Sequence, residues 1–223
     1  MRITRTGPAR IPRSFFEQPT LQTARGLLGA RLIKRERGRM LSGIIIEAEA
    51  YVGTGDLGCH ASRGGRTARN AVMFGPPGRA YVYFTYGMHW MLNVVTEAEG
   101  FPAAVLVRAM IPDGGAGVMR RRRGGHEPLA GGPAMLCQAL RIDGRLNGHD
   151  LCAENSRLFL EKAFRLPEEG VTRSPRVGLY TVPEPWKSVP WRFRATRDAT
   201  KALQGMLREN PVRHRPDGLG RME

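Results

Sequence analysis

Lysine is scarce in this chain: four residues (34, 162, 187 and 201) stand against 31 arginines in 223 residues. None of the four lies between Glu47 and Arg108, the stretch where acids and aromatics concentrate. An enzyme that cleaved a glycosidic bond through a Schiff base would need an amine nucleophile, so for such chemistry in this stretch water activated by a carboxylate is the better reading. Cysteine is sparse too. Cys59, Cys137 and Cys152 are odd in number and widely spaced, which implies no disulfide framework. No CxxC or HExxH occurs, so a structural zinc site is not expected. The first residues, from Met1 to Pro8, lack the apolar centre of a signal peptide. No apolar run approaches bilayer length. A soluble, cytoplasmic protein is the expectation.

What is abundant is positive charge. Bases exceed acids by fifteen, with a pI near 11.0. A codon bias towards arginine explains the shortage of lysine but not this excess, which draws polyanions, nucleic acid first among them. The length suits one domain with one substantial core.

Residues 1–12 read as a basic N-terminal arm, 13–194 as the domain, and 195–223 as a basic tail, disordered apart from one amphipathic piece from Ala199 to Leu207. Phe15 to Ile33 reads as a helix capped by Thr20, with Leu21, Ala24, Leu27 and Leu28 as its stripe and Gly29 weakening or ending it. Strands are expected at 31–34 and 42–51 around Arg37-Gly38, at 80–84, at 90–96 after a turn at Tyr86-Gly87, and at 103–109. Met119 to Arg123 opens a polar, glycine-rich stretch. Pro133 to Ala139 suits a short helix starting at proline. Late strands are expected at 157–163 and 176–182, with a third near Trp191 to Phe193. Strands outnumber helices and crossovers are few, which favours an α+β domain.

The segment from Ile44 to Tyr51 carries the chemistry. Strand side chains alternate between faces, so Ile44, Ile46, Ala48 and Ala50 share an apolar face, and Glu47, Glu49 and Tyr51 share the other. Two acids and a phenol on one side of an apolar strand are costly unless that side borders a polar pocket. Glu49 is a candidate general base; a strand-edge acid paired with an arginine fits the pattern as well. Glu47 has the same signature and lies farther from Tyr51. Glu47, Glu49, Asp56 and His60 fall within one short segment, an oxygen-rich set for Mg²⁺ or Mn²⁺, although their spacing matches no metal motif. Tyr81, Tyr83 and Tyr86 suit base stacking or insertion into a duplex, although for Tyr81 a place in the core is the preferred reading. Arg63, Arg66 and Arg69, and the run Arg120 to Arg123, are phosphate-contact candidates; the second cluster reads equally as a solvated face.

In order along the chain, these segments resemble the alkyladenine (3-methyladenine) DNA glycosylase family. The resemblance rests on Pro12 to Phe16, Ala24 to Gly29, Ile46 to Tyr51, His60, Thr67 to Asn70, Met73 to Gly78, Tyr81 to Tyr83 and Tyr86 to Met88. Asn93, Val105 to Ala109, Gly132-Pro133, Leu136 to Leu140 and Arg176 to Gly178 continue it, and it runs to about Phe193. It implies a curved, mostly antiparallel β-sheet flanked by short helices. It also implies a monofunctional glycosylase, without AP-lyase activity, that initiates base excision repair. Such an enzyme binds double-stranded DNA as a monomer, needs no cofactor or metal, and flips out alkylated or deaminated purines of the 3-methyladenine, hypoxanthine and ethenoadenine class.

Glu49 aligns with the family's water-activating acid, and Arg108 and the Val177 carbonyl with groups that hold the water. Tyr51, His60 and Tyr83 align with the walls around the extruded base. Asn93 aligns with the residue that crowds out guanine, and Tyr86 with the wedge entering the duplex; Met88 follows it on the DNA side. Leu57, Cys59, Ala68 and Met135 depart from the family's pattern. A non-catalytic nucleic-acid-binding module and a metal-dependent nuclease built on Glu47, Glu49, Asp56 and His60 are the rival readings.

Overall fold

A computed structural model of the protein describes residues 1–62 and 65–210. Strand β1 (Thr4–Arg10) leads to two short helices, α1 (Arg13–Phe16) and α2 (Thr20–Gly26), and then to β2 (Arg31–Glu36) and β3 (Arg39–Val52). After a loop come β4 (Ala80–Thr85), β5 (His89–Val95) and β6 (Ala103–Gly114), then α3 (Ala116–Arg122) and α4 (Pro133–Leu140). Strands β7 (Leu158–Arg165), β8 (Val171–Ser174) and β9 (Arg192–Ala195) and helix α5 (Arg197–Glu209) close the chain. Among the described residues the strands form one open sheet in the order β1-β7-β2-β3-β6-β5-β4, with β9 added to β3 and β8 to β9. All the strand pairings are antiparallel, which makes the domain α+β.

β3 is the axis of this sheet. It pairs with β2 over its first half, with β9 at Glu47 to Glu49, and with β6 along almost its whole length. Helix α2 packs on β3 and β6, and α4 on β5 and β6. The core between them takes in Leu27, Ile44, Ala48, Leu92, Val107 and Leu136. Burying a side chain of the size of valine or leucine is worth roughly 1.5–3 kcal/mol.

The helix expected from Phe15 to Ile33 is two short helices and the start of β2. Proline at position 19 disfavours the helical region for Gln18, and Gly29 holds φ +91 with Phe164 O only 2.4 Å from where a Cβ would stand. Thr20 does not cap α2; it is the helix's first residue. Its hydroxyl meets Thr96 Oγ1 at 2.9 Å, and Glu97 accepts its backbone N–H at 3.0 Å. The start of the stretch from Met119 is helical: α3 (Ala116–Arg122) buries Met119, leaves Arg120 and Arg121 exposed and turns Arg122 to Glu36, while the residues that follow to Gly132 are turn and loop.

Residues 176–182 form no strand. Gly178 takes φ +86, and prolines at 175 and 183 bound the segment. Residues 4–10, within the expected arm, pair with β7 through a register shift around Gly7-Pro8, which an edge strand tolerates. Residues 197–209 of the expected tail are α5, whose Ala199, Leu203 and Leu207 join the core. The last residues, 211–223, lie outside the described part. No helix of the described residues is long and apolar enough to cross a membrane.

Candidate active site

Glu49 sits where β3 is held on both sides, opposite Leu106 of β6 and Arg192 of β9. Its side chain is fully buried. Tyr51 donates its hydroxyl to Oε2 at 2.9 Å, Arg108 Nη1 donates to the same oxygen at 3.2 Å, and the Val177 amide donates to Oε1 at 2.8 Å. The expected face of Glu47, Glu49 and Tyr51 does form, because Arg108 also donates its Nε to Glu47 at 2.7 Å. The apolar face differs from expectation: Ile45 is buried along with Ile44, while Ile46 is only partly so. Register shifts flank Glu47, and such bulges re-aim neighbouring side chains.

The two acids have different surroundings. Glu47 meets three guanidinium groups, Arg108, Arg192 at 2.9 Å and Arg194 at 3.7 Å. Glu49 meets one, and burial pushes its pKa up against the pull of Arg108, the Val177 amide and the Tyr51 hydroxyl. Burial and then the charge of Glu49 hold the Tyr51 phenol well above its ordinary pKa, so it remains a donor. Burial works against the charge of Arg108, but Glu49 and Glu47 outweigh it.

A cavity of about 310 Å³ opens in front of these groups, within the usual size of small-ligand sites, about 300–1,000 Å³. Tyr51, Arg108 and Val177 stand between Glu49 and this space, joined around it by His60, Tyr81, Tyr83 and Asn93. The rings are arranged as a box: His60 meets Tyr83 edge-on at 4.5 Å between centroids, and Tyr81 lies 5.3 Å from Tyr83. His60 Nδ1 is 2.8 Å from the Tyr81 hydroxyl. Burial, helped by the nearby Arg69 charge, lowers its pKa to about 4, so it is neutral at pH 7. Asn93 donates its amide N–H to the Tyr81 carbonyl at 3.1 Å, which fixes its orientation. A larger depression of about 700 Å³ lies at the β2–β3 turn, but arginines dominate its walls and it has no aromatic ring.

The cavity mouth is edged by the β4–β5 turn. Tyr86 is 79% exposed at φ +51, followed by Gly87 at φ +66 and an exposed Met88. Arg69 lies over the Tyr83 ring at 5.1 Å, and Arg66 is exposed on the same loop. Arg63 lies outside the described residues. Arg120 and Arg123 do not reach the cavity: Arg120 pairs with Glu127 at 2.6 Å, and Arg123 donates to Gln138.

The four residues weighed as a metal set do not converge. Asp56 spends both oxygens on Arg176 and on the backbone amides of Val52 and Gly58, and His60 turns to Tyr81. Among the described residues no group of three or more His, Cys, Asp and Glu is placed to hold a metal.

Val177, whose carbonyl is expected to help hold the water, also gives its amide N–H to Glu49. Sequence reasoning missed Arg176 as a site residue, along with Arg192 and Arg194 on Glu47; the only signal for Arg176 was its place in the Arg176-Val177-Gly178 motif. Of the departures from the family pattern, Cys59 lies in a small core beneath the cavity with Ala61 and Met73, its thiol held protonated by burial at a pKa of about 11. Leu57 is exposed, as is Ala68, and Met135 is half-buried.

A buried carboxylate behind an aromatic-walled cavity, in a strongly basic α+β domain, defines an enzyme-like site on a polyanion-binding scaffold. Comparison with known proteins makes this specific. Residues 14–199 match the family described as methylpurine-DNA glycosylase (MPG). A protein of Methanocella arvoryzae named "Putative 3-methyladenine DNA glycosylase" is 44% identical over 186 residues, 82% of this chain and 90% of that one. Proteins of the same name are 45% identical in Carboxydothermus hydrogenoformans, over 82% of this chain and 93% of that one, and 43% identical in Myxococcus xanthus, over 87% and 94%. The chain belongs to the methylpurine-DNA glycosylase family, DNA-repair enzymes that release bases by cleaving N-glycosyl bonds.

Proposed function

We propose that the protein is a monofunctional glycosylase for 3-methyladenine and related alkylated or deaminated purines in duplex DNA, and that Glu49 activates the attacking water. The carrying observation is the surroundings of Glu49: a buried carboxylate oriented by Tyr51, Arg108 and Val177 at the back of an aromatic cavity. The water oxygen bonds to C1′ as the bond to the purine nitrogen breaks, its electron pair leaving with the base. The water's proton passes to Glu49, whose charge also steadies the oxocarbenium-like transition state. The products are a free base and an abasic sugar.

Tyr51, His60 and Tyr83 hold the extruded ring, and a base that leaves a weak pair costs less to flip. Asn93 narrows the pocket against an exocyclic amine. Tyr86 enters the duplex where the nucleotide left, and Arg66 and Arg69 contact phosphates nearby. A purine already cationic through alkylation leaves most easily; neutral hypoxanthine and ethenoadenine need a proton. Among the described residues no lysine lines the cavity, which supports hydrolysis over a Schiff base and lyase step.

The test is base release from end-labelled duplexes, each with one lesion, read with and without alkali. The enzyme should yield free base and an abasic site that breaks only on alkali treatment. Glu49→Gln should bind the lesion duplex and excise roughly 10²–10⁴-fold more slowly, the usual contribution of a positioned acid or base. Normal turnover by Glu49→Gln would sink the assignment.

A further inference from the structure

The most heavily engaged side chain around the site has no part in the chemistry just described. Arg176 is completely buried, and its guanidinium grips both oxygens of the equally buried Asp56, at 2.5 and 2.7 Å. The same group donates to the Ala50 carbonyl at 2.9 Å and lies over the Tyr51 ring at 4.7 Å and the Trp191 ring at 5.1 Å. Asp56 in turn accepts the amides of Val52 and Gly58 at 3.0 and 2.9 Å. One ion pair thereby joins three of the chain segments that line the cavity: β3 at Ala50 to Val52, the loop that carries His60, and the segment that carries Val177.

A buried pair is weak support for stability, since desolvation offsets much of its attraction. Its value lies in fixed geometry, which a planar guanidinium with two parallel bonds supplies and a lysine does not. We infer that the Asp56–Arg176 pair is a positioning device, which holds the Val177 amide on Glu49 and the Tyr51 phenol beside it. The inference rests on the reading of Glu49 as the base.

Its consequence is a pH dependence. The groups facing Glu49 are Arg108 from β6, Tyr51 and Glu47 from β3 and Tyr83 from β4; Arg192 and Arg194 of β9 are engaged on Glu47. The Val177 and Tyr51 hydrogen bonds both favour the carboxylate. Loosening them raises the pKa of Glu49 further, so the acid limb of the rate profile moves to higher pH.

Single-turnover base release and lesion-duplex affinity, measured across pH for Asp56→Asn and Arg176→Lys, test this. Both variants should bind the duplex within a few-fold of wild type. Their excision should be slower by up to about a hundredfold, the cost of misplacing a reacting group by an ångström. Both should also show the raised limb. Val177→Pro deletes the amide hydrogen and fixes φ at 177, with some constraint passed back to Arg176, but leaves the side chains of the buried pair unchanged; it should move the limb the same way even if the pair itself tolerates no substitution. Rates that fall uniformly across pH, or a wild-type limb in Val177→Pro, would overturn the inference. Glu49→Gln serves as the control: if it excises normally the base itself is misassigned, whereas an inactive Glu49→Gln beside unshifted limbs removes the positioning role alone.

Discussion

Tyr51 gives its hydroxyl hydrogen to Glu49 across 2.9 Å, from two residues along the same strand. The pairing is possible because β3 alternates its side chains, and it matters because Glu49 is otherwise destabilised as an anion by burial. The phenol, held well above its own ordinary pKa, has no tendency to lose that hydrogen near neutrality. A wall of the cavity therefore also tunes the acid behind it.

Tyr51→Phe follows from this. Removing a donor from the carboxylate raises the Glu49 pKa, and only the charged form accepts the water's proton. The rate climbs with pH as Glu49 ionises, so the acid limb should move upward. A hydrogen bond to a charged group is worth about 1.5–3 kcal/mol, and one pH unit corresponds to about 1.4 kcal/mol. A shift of about one to two units is expected in single-turnover profiles, and a limb that stays in place would remove the tuning role.

Tyr86 sits at φ +51, in the left-handed region, with most of its ring in solvent. Such a conformation costs an L-residue roughly 1–2 kcal/mol, which the folded protein tolerates without any packing return from the ring. Tyr86→Gly relieves that strain, offset in part by the greater freedom of glycine in the unfolded chain. Its melting temperature should equal or exceed that of wild type, while its preference for lesion over undamaged duplex falls. Stability and function would then move in opposite directions. Unchanged lesion discrimination would show that the ring is no wedge.

Much of this frame was legible in the sequence, and its gaps have physical causes. The strands from Ile44 to Tyr51, at Ala80 to Phe84 and from Ala103 announce themselves through β-branched and apolar residues, and the glutamates of β3 through alternation. β1 was hidden because an edge strand of Thr, Arg, Gly and Pro buries little and so shows no apolar period. The bulge at Glu47 was equally invisible, since a register shift is set by the partner strand. Arg176 could not be ranked above 30 other arginines, because its burial depends on Asp56, which lies 120 residues away in the chain. Spacing separated Glu47 from Glu49 only by its greater distance from Tyr51. Only the folded chain shows Glu47 ringed by arginines.

Asn93 touches the Tyr81 carbonyl at 3.1 Å, and both residues line the cavity. Shortening it to serine opens space on the β5 wall and leaves the Tyr81 carbonyl without that donor. The proposed role predicts that Asn93→Ser excises guanine-derived bases that wild type rejects. A stability loss of about 1–3 kcal/mol should accompany this, as for other buried groups deprived of a partner. Competition between modified adenine and guanine duplexes checks the range, and denaturant unfolding checks the cost. An unaltered range would assign Asn93 to structure alone.

Helix α5 gives a test of where the folded domain ends. Thr196 accepts the Ala199 amide at 3.1 Å, as an N-cap should, and Leu203 is fully buried against the core. A tail that merely trails from β9 would tolerate changes at both positions. An integral helix would not: Thr196→Ala should cost about 1 kcal/mol through the lost cap, and Leu203→Ala about 2–5 kcal/mol through the cavity it leaves. β9, which α5 follows directly, supplies Arg192 and Arg194 to Glu47, so the loss should extend to the site. Chemical denaturation should therefore show a single transition moved to lower midpoint, with base-release activity lost along the same curve. If activity outlasts the unfolding of α5, the helix is an appendage to the site rather than part of its support.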